Sequence, residues 1–210
     1  MLIFNEALGR MGIKLDMVIL PLKRSSVYVN AGKFDGEISR VYSYNETYGN
    51  LVRVEEHLSK LIFVAYSRDK DLKFSSWEDF KGLDLKVGYI RGSKKARTQL
   101  RRMVSESRLF EANTIGQALG MLKSGKRIDV FVDVLGGIKQ ELRGNKELSK
   151  YSSHIYLSGV MEEVTAHAFL YKKYGYLGSE LSGHLKAMKK EGLFEQYRTS
   201  VGLHPDDLHW

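Results

Sequence analysis

The feature that most narrows the fold is a short pattern that occurs twice. Val29-Asn30-Ala31-Gly32-Lys33-Phe34-Asp35 and Leu122-Lys123-Ser124-Gly125-Lys126-Arg127-Ile128-Asp129 each run from a helical pattern, through a glycine and a lysine, to an aspartate where a strand begins. Glycine takes the left-handed conformation that closes a helix, and aspartate suits the turn that follows. Any chain that alternates helix and strand could show this once. Two copies about 94 residues apart point to two lobes built on a similar unit, each with a crevice at the carboxyl ends of its strands, where open α/β sheets bind ligands.

The periodicity around the two copies supports that reading. Leu2, Ile3, Phe4, Ala7, Leu8 and Met11 fall at helical spacing, and Gly12 ends that helix. Residues 13–20 read as a strand. Pro21 opens a helix over 22–31, and Phe34–Ser39 is a strand. Residues 41–58 are irregular. Strands are expected at Lys60–Ser67, Leu85–Ile90, Ile128–Val132 and Thr165–Tyr171. Ser75 with Glu78, and Thr114 with Gln117, have the spacing of reciprocal helix caps. Gly92-Ser93 starts a helix to about 104, Thr114 one to Gly125, and another runs to about Leu142. The last helices, 177–190 and 193–200, are split by Gly192. Alternating strands and helices predict mainly parallel sheets covered on both faces.

Composition removes several classes. The 210 residues contain no cysteine, which excludes disulfides and thiolate metal sites. No apolar run is long enough to span a membrane, and the first residues do not read as a secretory signal. The net charge of +8 is spread over three groups: Arg97, Arg101, Arg102 and Arg108; Lys123, Lys126 and Arg127; Lys186, Lys189 and Lys190. Each is mixed with apolar helical positions, so they read as solvated helix faces rather than a nucleic-acid stripe. Gly120 to Lys126 approaches a phosphate-binding loop, but Arg127 stands where Ser or Thr must hold magnesium, and the segment ends a helix instead of opening one. His57, His154, His167, His184, His204 and His209 lack metal-ligand spacing. No cofactor and no metal are expected.

A set of polar residues at strand ends survives. Arg40 follows the strand ending at Ser39. Arg91 and Ser93 follow the strand ending at Ile90, and Ser93 stands at a helix start, where free amides and the helix dipole favour a carboxylate or phosphate. Asp133 follows the strand ending at Val132 and suits an amine. Each also has a structural reading: Ser93 as a helix cap, the arginines as partners of neighbouring acids.

With these residues in place, the chain resembles the type 2 periplasmic solute-binding proteins, in particular the amino-acid-binding branch called family 3. The similar segments are Asn30 to Gly36, Phe80 to Ser93, Ala118 to Asp133 and His167 to Gly202. The resemblance implies a two-lobed α/β fold with a hinge and an interlobe cleft. Lobe one would hold residues 1–58 and 166–210, and lobe two residues 59–165. Ser93 would bind a ligand carboxylate and Asp133 an amino group, with Arg40 and Arg91 facing the same cleft. The family's carboxylate-clamping arginine falls on Thr47, and its opening strand has no counterpart before residue 2. The resemblance therefore implies an open place in lobe one. It would be closed by direct pairing of Leu15–Leu20 with Phe34–Ser39 or by a second copy of the chain; otherwise lobe one would be loosened, with Met1–Gly12 displaced.

The function implied is capture of a small anionic or zwitterionic solute outside the cytoplasm, in the periplasm, for an ABC permease, without catalysis. Two alternatives share the fold: a sensory ligand-binding domain and a dehydratase-like enzyme, for which Asp133 is the one clear acid or base.

Overall fold

The computed structural model describes residues 2–146 and 154–200. The chain divides into two compact units, one formed by residues up to Lys60 and from Val164 onward, the other by Leu61–Glu163.

The first unit contains helix α1 (Leu2–Arg10), α2 (Leu22–Asn30), and strands β1 (Gly36–Val41) and β2 (Leu51–Arg53). Its sheet is built on the second half of β7 (Tyr156–Tyr171). β1 runs antiparallel to β7, with Gly36 opposite Leu170 and Val41 opposite Ala166. β2 runs antiparallel to β7 as well, with Leu51 opposite Tyr171 and Arg53 opposite Phe169. The apolar stripe of α1 buries Phe4 and Ala7 against Val54, Leu58, Ala168 and the closing helices α6 (Gly178–Lys190) and α7 (Leu193–Ser200), which contribute Leu181, Leu185, Met188 and Phe194. Arg10, in the last turn of α1, bonds Glu6 at 2.9 Å and reaches Glu191 at 2.6 Å, fastening α1 to the end of α6. These groups are solvent-exposed, so the apolar contacts carry most of the stabilisation.

Residues 13–20 do not form the expected strand. Ile13, Leu15 and Met17 are half-buried while Lys14, Asp16 and Val18 are exposed, which is the period-2 alternation of a strand. Among the described residues, however, no backbone group of 14–20 takes part in a hydrogen bond. The pattern is that of a strand; the ladder partner is missing. Direct pairing of Leu15–Leu20 with Phe34–Ser39 does not occur, and α1 is packed rather than displaced. Without that pairing no parallel crossover closes, so the expectation of mainly parallel sheets fails here: among the described residues β1 and β2 both pair antiparallel with β7.

The second unit contains β3 (Ser59–Ser67), β4 (Val87–Ile90), α3 (Lys94–Met103), β5 (Leu109–Ala112), α4 (Ile115–Ser124), β6 (Val130–Val134), α5 (Leu135–Gly144) and the first half of β7. The strand order is β7-β3-β6-β4-β5. β4 is parallel to both β5 and β6, and β3 is antiparallel to β6. Helices α4 and α5 bury Ala118, Leu119, Leu122 and Ile138 against Val64, Ile90 and Phe131. Full burial of Leu119 or Leu122 stabilises by about 1.5–3 kcal/mol each. Thr114 Oγ1 accepts the Gln117 N–H at 3.1 Å and starts α4, and Gly125 at φ 63° ends it, as the sequence predicts.

The reciprocal cap expected at Ser75 and Glu78 sits one residue later, at Ser76 and Asp79, where one carboxylate holds the amides of both serines. Three stretches of strand go unread in the sequence: β2, β5 and Tyr156–Val164. β2 and β5 have three and four residues, too few to show a period. In β7, Glu162 and Glu163 mask the alternation. Gly159 is required where it stands, because a Cβ there would collide with the Phe74 carbonyl across an isolated bridge.

Candidate ligand-binding site

Helices α3, α4 and α5 each begin at the carboxyl end of one of the three parallel strands β4, β5 and β6. Their first turns present backbone N–H groups that lack intrahelical partners, with the positive end of each helix dipole. From β4 the chain moves to β5 on one side; from β5 it crosses back over β4 to β6 on the other. The connections diverge between β4 and β6, where a doubly wound sheet leaves a crevice. Two of the predicted site segments flank that point: Arg91 to Ser93 after β4, and Asp133 in β6.

Asp133 lies inside β6, not just after it, because the strand runs to Val134. It pairs with Val64 of β3 and follows directly on the last β4–β6 pair, Tyr89 with Val132. The residue is 9% exposed. Burial pushes its carboxyl up to about 7, offset only by the bond it accepts from the Val134 N–H. Among the described residues no cationic side chain pairs with it. A carboxyl held this way is poised to share a proton or to accept a positive group.

Ser93 occupies the N-cap position of α3, but its side chain caps nothing: the hydroxyl makes no bond to the helix amides. Its backbone N–H donates to the Ile90 carbonyl at 2.9 Å. The next turn is anchored through Lys95, which bonds Glu162 of β7 at 2.7 Å, and the Trp77 indole donates to the same carboxylate at 2.7 Å. The start of α3 is therefore fixed, while among the described residues the Ser93 hydroxyl has no hydrogen-bond partner. Arg91 is half-exposed and engaged with Glu111 at 3.1 Å, and Tyr89 donates to that same carboxylate. Arg91, Ser93 and Asp133 thus share one end of the parallel strands.

Arg40 belongs to the first unit and is occupied. It lies in β1, just past a register shift between Glu37 and Arg40, where Ser39 adopts φ 63°. Its guanidinium is held by buried Glu37, which also accepts bonds from Ser25 Oγ at 2.5 Å and from Tyr44 OH. Burial alone would raise the Glu37 carboxyl, but Arg40, Ser25 and Tyr44 together hold it below its ordinary value. Glu37, Ser25 and Tyr44 do not stand out in the sequence as partners of Arg40; the one available signal is the three-residue spacing from Glu37 to Arg40.

His167 is buried, with Nδ1 2.9 Å from the Val54 carbonyl and Nε2 2.8 Å from Thr165 Oγ1. The first contact makes Nδ1 the protonated nitrogen. His204 and His209 lie outside the described residues. No metal-like cluster of His, Asp and Glu occurs among the described residues, and none of their helices is long and apolar enough to cross a membrane.

No protein-family model matches this chain. An uncharacterised protein of Shewanella oneidensis is 29% identical over 197 residues, which is 94% of this chain and 73% of that protein. Among solved structures, a histidine kinase sensor domain with similarity to periplasmic binding proteins superposes with a TM-score of 0.77 at 17% identity, covering 97% of this chain and 86% of that one. An ancestral arginine-binding protein bound to arginine gives 0.73 at 15% identity, covering 94% and 84%. The substrate-binding protein of an amino acid ABC transporter gives 0.71 at 16% identity, covering 94% and 84%. At these identities the likeness concerns architecture, and the chain has the mixed α/β fold of the two-lobed periplasmic binding proteins.

Proposed function

We propose that this chain is a binding module for a small zwitterionic or anionic solute, of the amino-acid-binding kind, working outside the cytoplasm. Asp133 takes the ligand's ammonium group. The Ser93 hydroxyl and the first amides of α3 take its carboxylate. In this reading Arg91 exchanges Glu111 for the ligand's negative group. The observation that carries the proposal is the Asp133 carboxyl, buried at the end of a parallel strand with a backbone N–H as its donor. A lone buried carboxylate costs several kcal/mol, and a ligand cation would remove that cost. The arginine-bound neighbour and the transporter's substrate-binding protein support the choice of ligand class.

Delivery to an ABC permease is the first biological reading. Sensing is the second, favoured by the sensor-domain neighbour. Both are binding functions without turnover. A thermal-shift screen over amino acids, peptides, polyamines and organic acids tests the proposal, since a ligand of the folded state raises its melting temperature. The expected hit is an amino acid or related zwitterion, whose binding Asp133→Ala abolishes and Ser93→Ala weakens. A hit that binds both variants as tightly as the parent would overturn the site.

A further inference from the structure

Residues 13–20 belong to no helix, turn or ladder and alternate in burial from Ile13 to Val18, and no backbone donor or acceptor from 14 to 20 is used among the described residues. Val18 is 55% and Ile19 87% exposed. The inner side chains are already docked, with Leu15 against the core of α1 and α6. What is unfilled is therefore the backbone edge, and its complement is another extended strand.

The charges select the strand. Lys14 and Asp16 are the ionic residues of the outward face, one on each side of Leu15. We propose that a second copy of this chain pairs antiparallel with the first along residues 13–17, about a two-fold axis through Leu15. Lys14 of each copy then stands opposite Asp16 of the other, and Ile13 stands opposite Met17 on the inner face. Cross-strand pairs of opposite charge stabilise such a ladder and like pairs oppose it. Moving the axis to Asp16 sets the two Asp16 side chains against each other, and moving it to Met17 sets Asp16 against Val18 and Lys14 against Leu20. A parallel in-register pairing stacks Lys14 on Lys14 and Asp16 on Asp16. The axis at Leu15 satisfies both charges, and it places Val18 opposite Gly12, which has no side chain to obstruct it. Such an interface is self-complementary and closed, as a two-fold contact requires.

Five residues make a short contact, so the association is weak and concentration-dependent. Sedimentation equilibrium across a concentration series, with hydrogen exchange read at amides 14–19, tests it. The expected result is a monomer–dimer equilibrium in which protection of those amides rises with concentration. Lys14→Glu weakens the dimer roughly tenfold by turning two attractive pairs repulsive, and Lys14→Glu combined with Asp16→Lys restores it. A protein that stays monomeric with unprotected amides overturns the proposal. So does protection that is independent of concentration, which would mean a strand from elsewhere in the polypeptide, or a dimer indifferent to Lys14→Glu.

Discussion

Arg40 closes on Glu37 three residues earlier in the same strand, with Nε 2.8 Å from Oε1, and the turn between them is made by Ser39 at φ 63°. Both side chains are almost out of solvent, 12% exposed for Arg40 and 3% for Glu37. Removing one partner of a buried pair leaves the other uncompensated, so Glu37→Ala should destabilise by about 3–5 kcal/mol. Ser39→Gly should act the other way, by about 0.5–1 kcal/mol, because glycine adopts positive φ without the Cβ clash. Urea unfolding of the two variants checks both signs. Ser39→Gly less stable than the parent would show that the bulge is not strained.

Asp133 makes stability depend on pH. An ordinary aspartate titrates near 4 in the unfolded chain, whereas burial raises this one to about 7 in the fold. Between those values the native state keeps a proton that the unfolded state has lost, so this residue's contribution to stability falls as pH rises from about 4 to 7. The loss amounts to about 3–5 kcal/mol above pH 8, at roughly 1.4 kcal/mol per pH unit. Asp133→Asn should therefore gain on the parent at pH 8 and draw level near pH 4, measured by unfolding at both values. A saturating cationic ligand should reduce that gain.

Hydrogen exchange in dilute solution should separate residues 14–20 from the rest of the sheet-forming chain. Amides of β4 and β6 are locked in parallel ladders, while those of 14–20 have no acceptor among the described residues. The first group should exchange through global unfolding and the second at close to unprotected rates. Equal protection would mean that the 13–20 edge is covered in the dilute protein.

His167 should add an acid limb. Burial lowers its folded-state value first of all, and Arg53 and Lys189 lower it further against the opposing pull of the Val54 carbonyl and Glu55. The rings of His57 and Tyr42 stand beside it. A histidine depressed in the fold lends stability above its ordinary value near 6.5 and withdraws it as pH falls through the folded value. His167→Asn should flatten the stability profile below pH 6. A profile there identical to the parent's would place the acid loss elsewhere.

In the second unit β3, β4, β6 and the helices that follow β4, β5 and β6 were legible in the sequence, because their signals are local. Thr114, Gly125 and the buried run of β6 each declare themselves within a few residues. Asp133 and Ser93 could be proposed as partners because parallel strands ending in helix starts put their carboxyl ends side by side. The first unit was less legible, since its pairings are distant. Residues 13–20 read as a strand, but whether a strand has a ladder is decided by another segment. Arg40 reads as a free cation at a strand end only until Ser39 turns it back onto Glu37. That bulge has no signature, because serine is an ordinary residue for a strand.

The long reach of β7 has a consequence for how the protein is made. Val41 waits for Ala166 and Gly36 for Leu170, so β1 finds its ladder only after roughly 125 further residues have left the ribosome, about 6–25 s at ordinary elongation rates. β4, β5 and β6 can meet one another well before that. The first unit is thus begun first and finished last, and during that interval its strand edges and the apolar faces of α1 and β1 are exposed together. Slow translation or a shortage of holdase chaperones should harm this chain through aggregation of the nascent first unit.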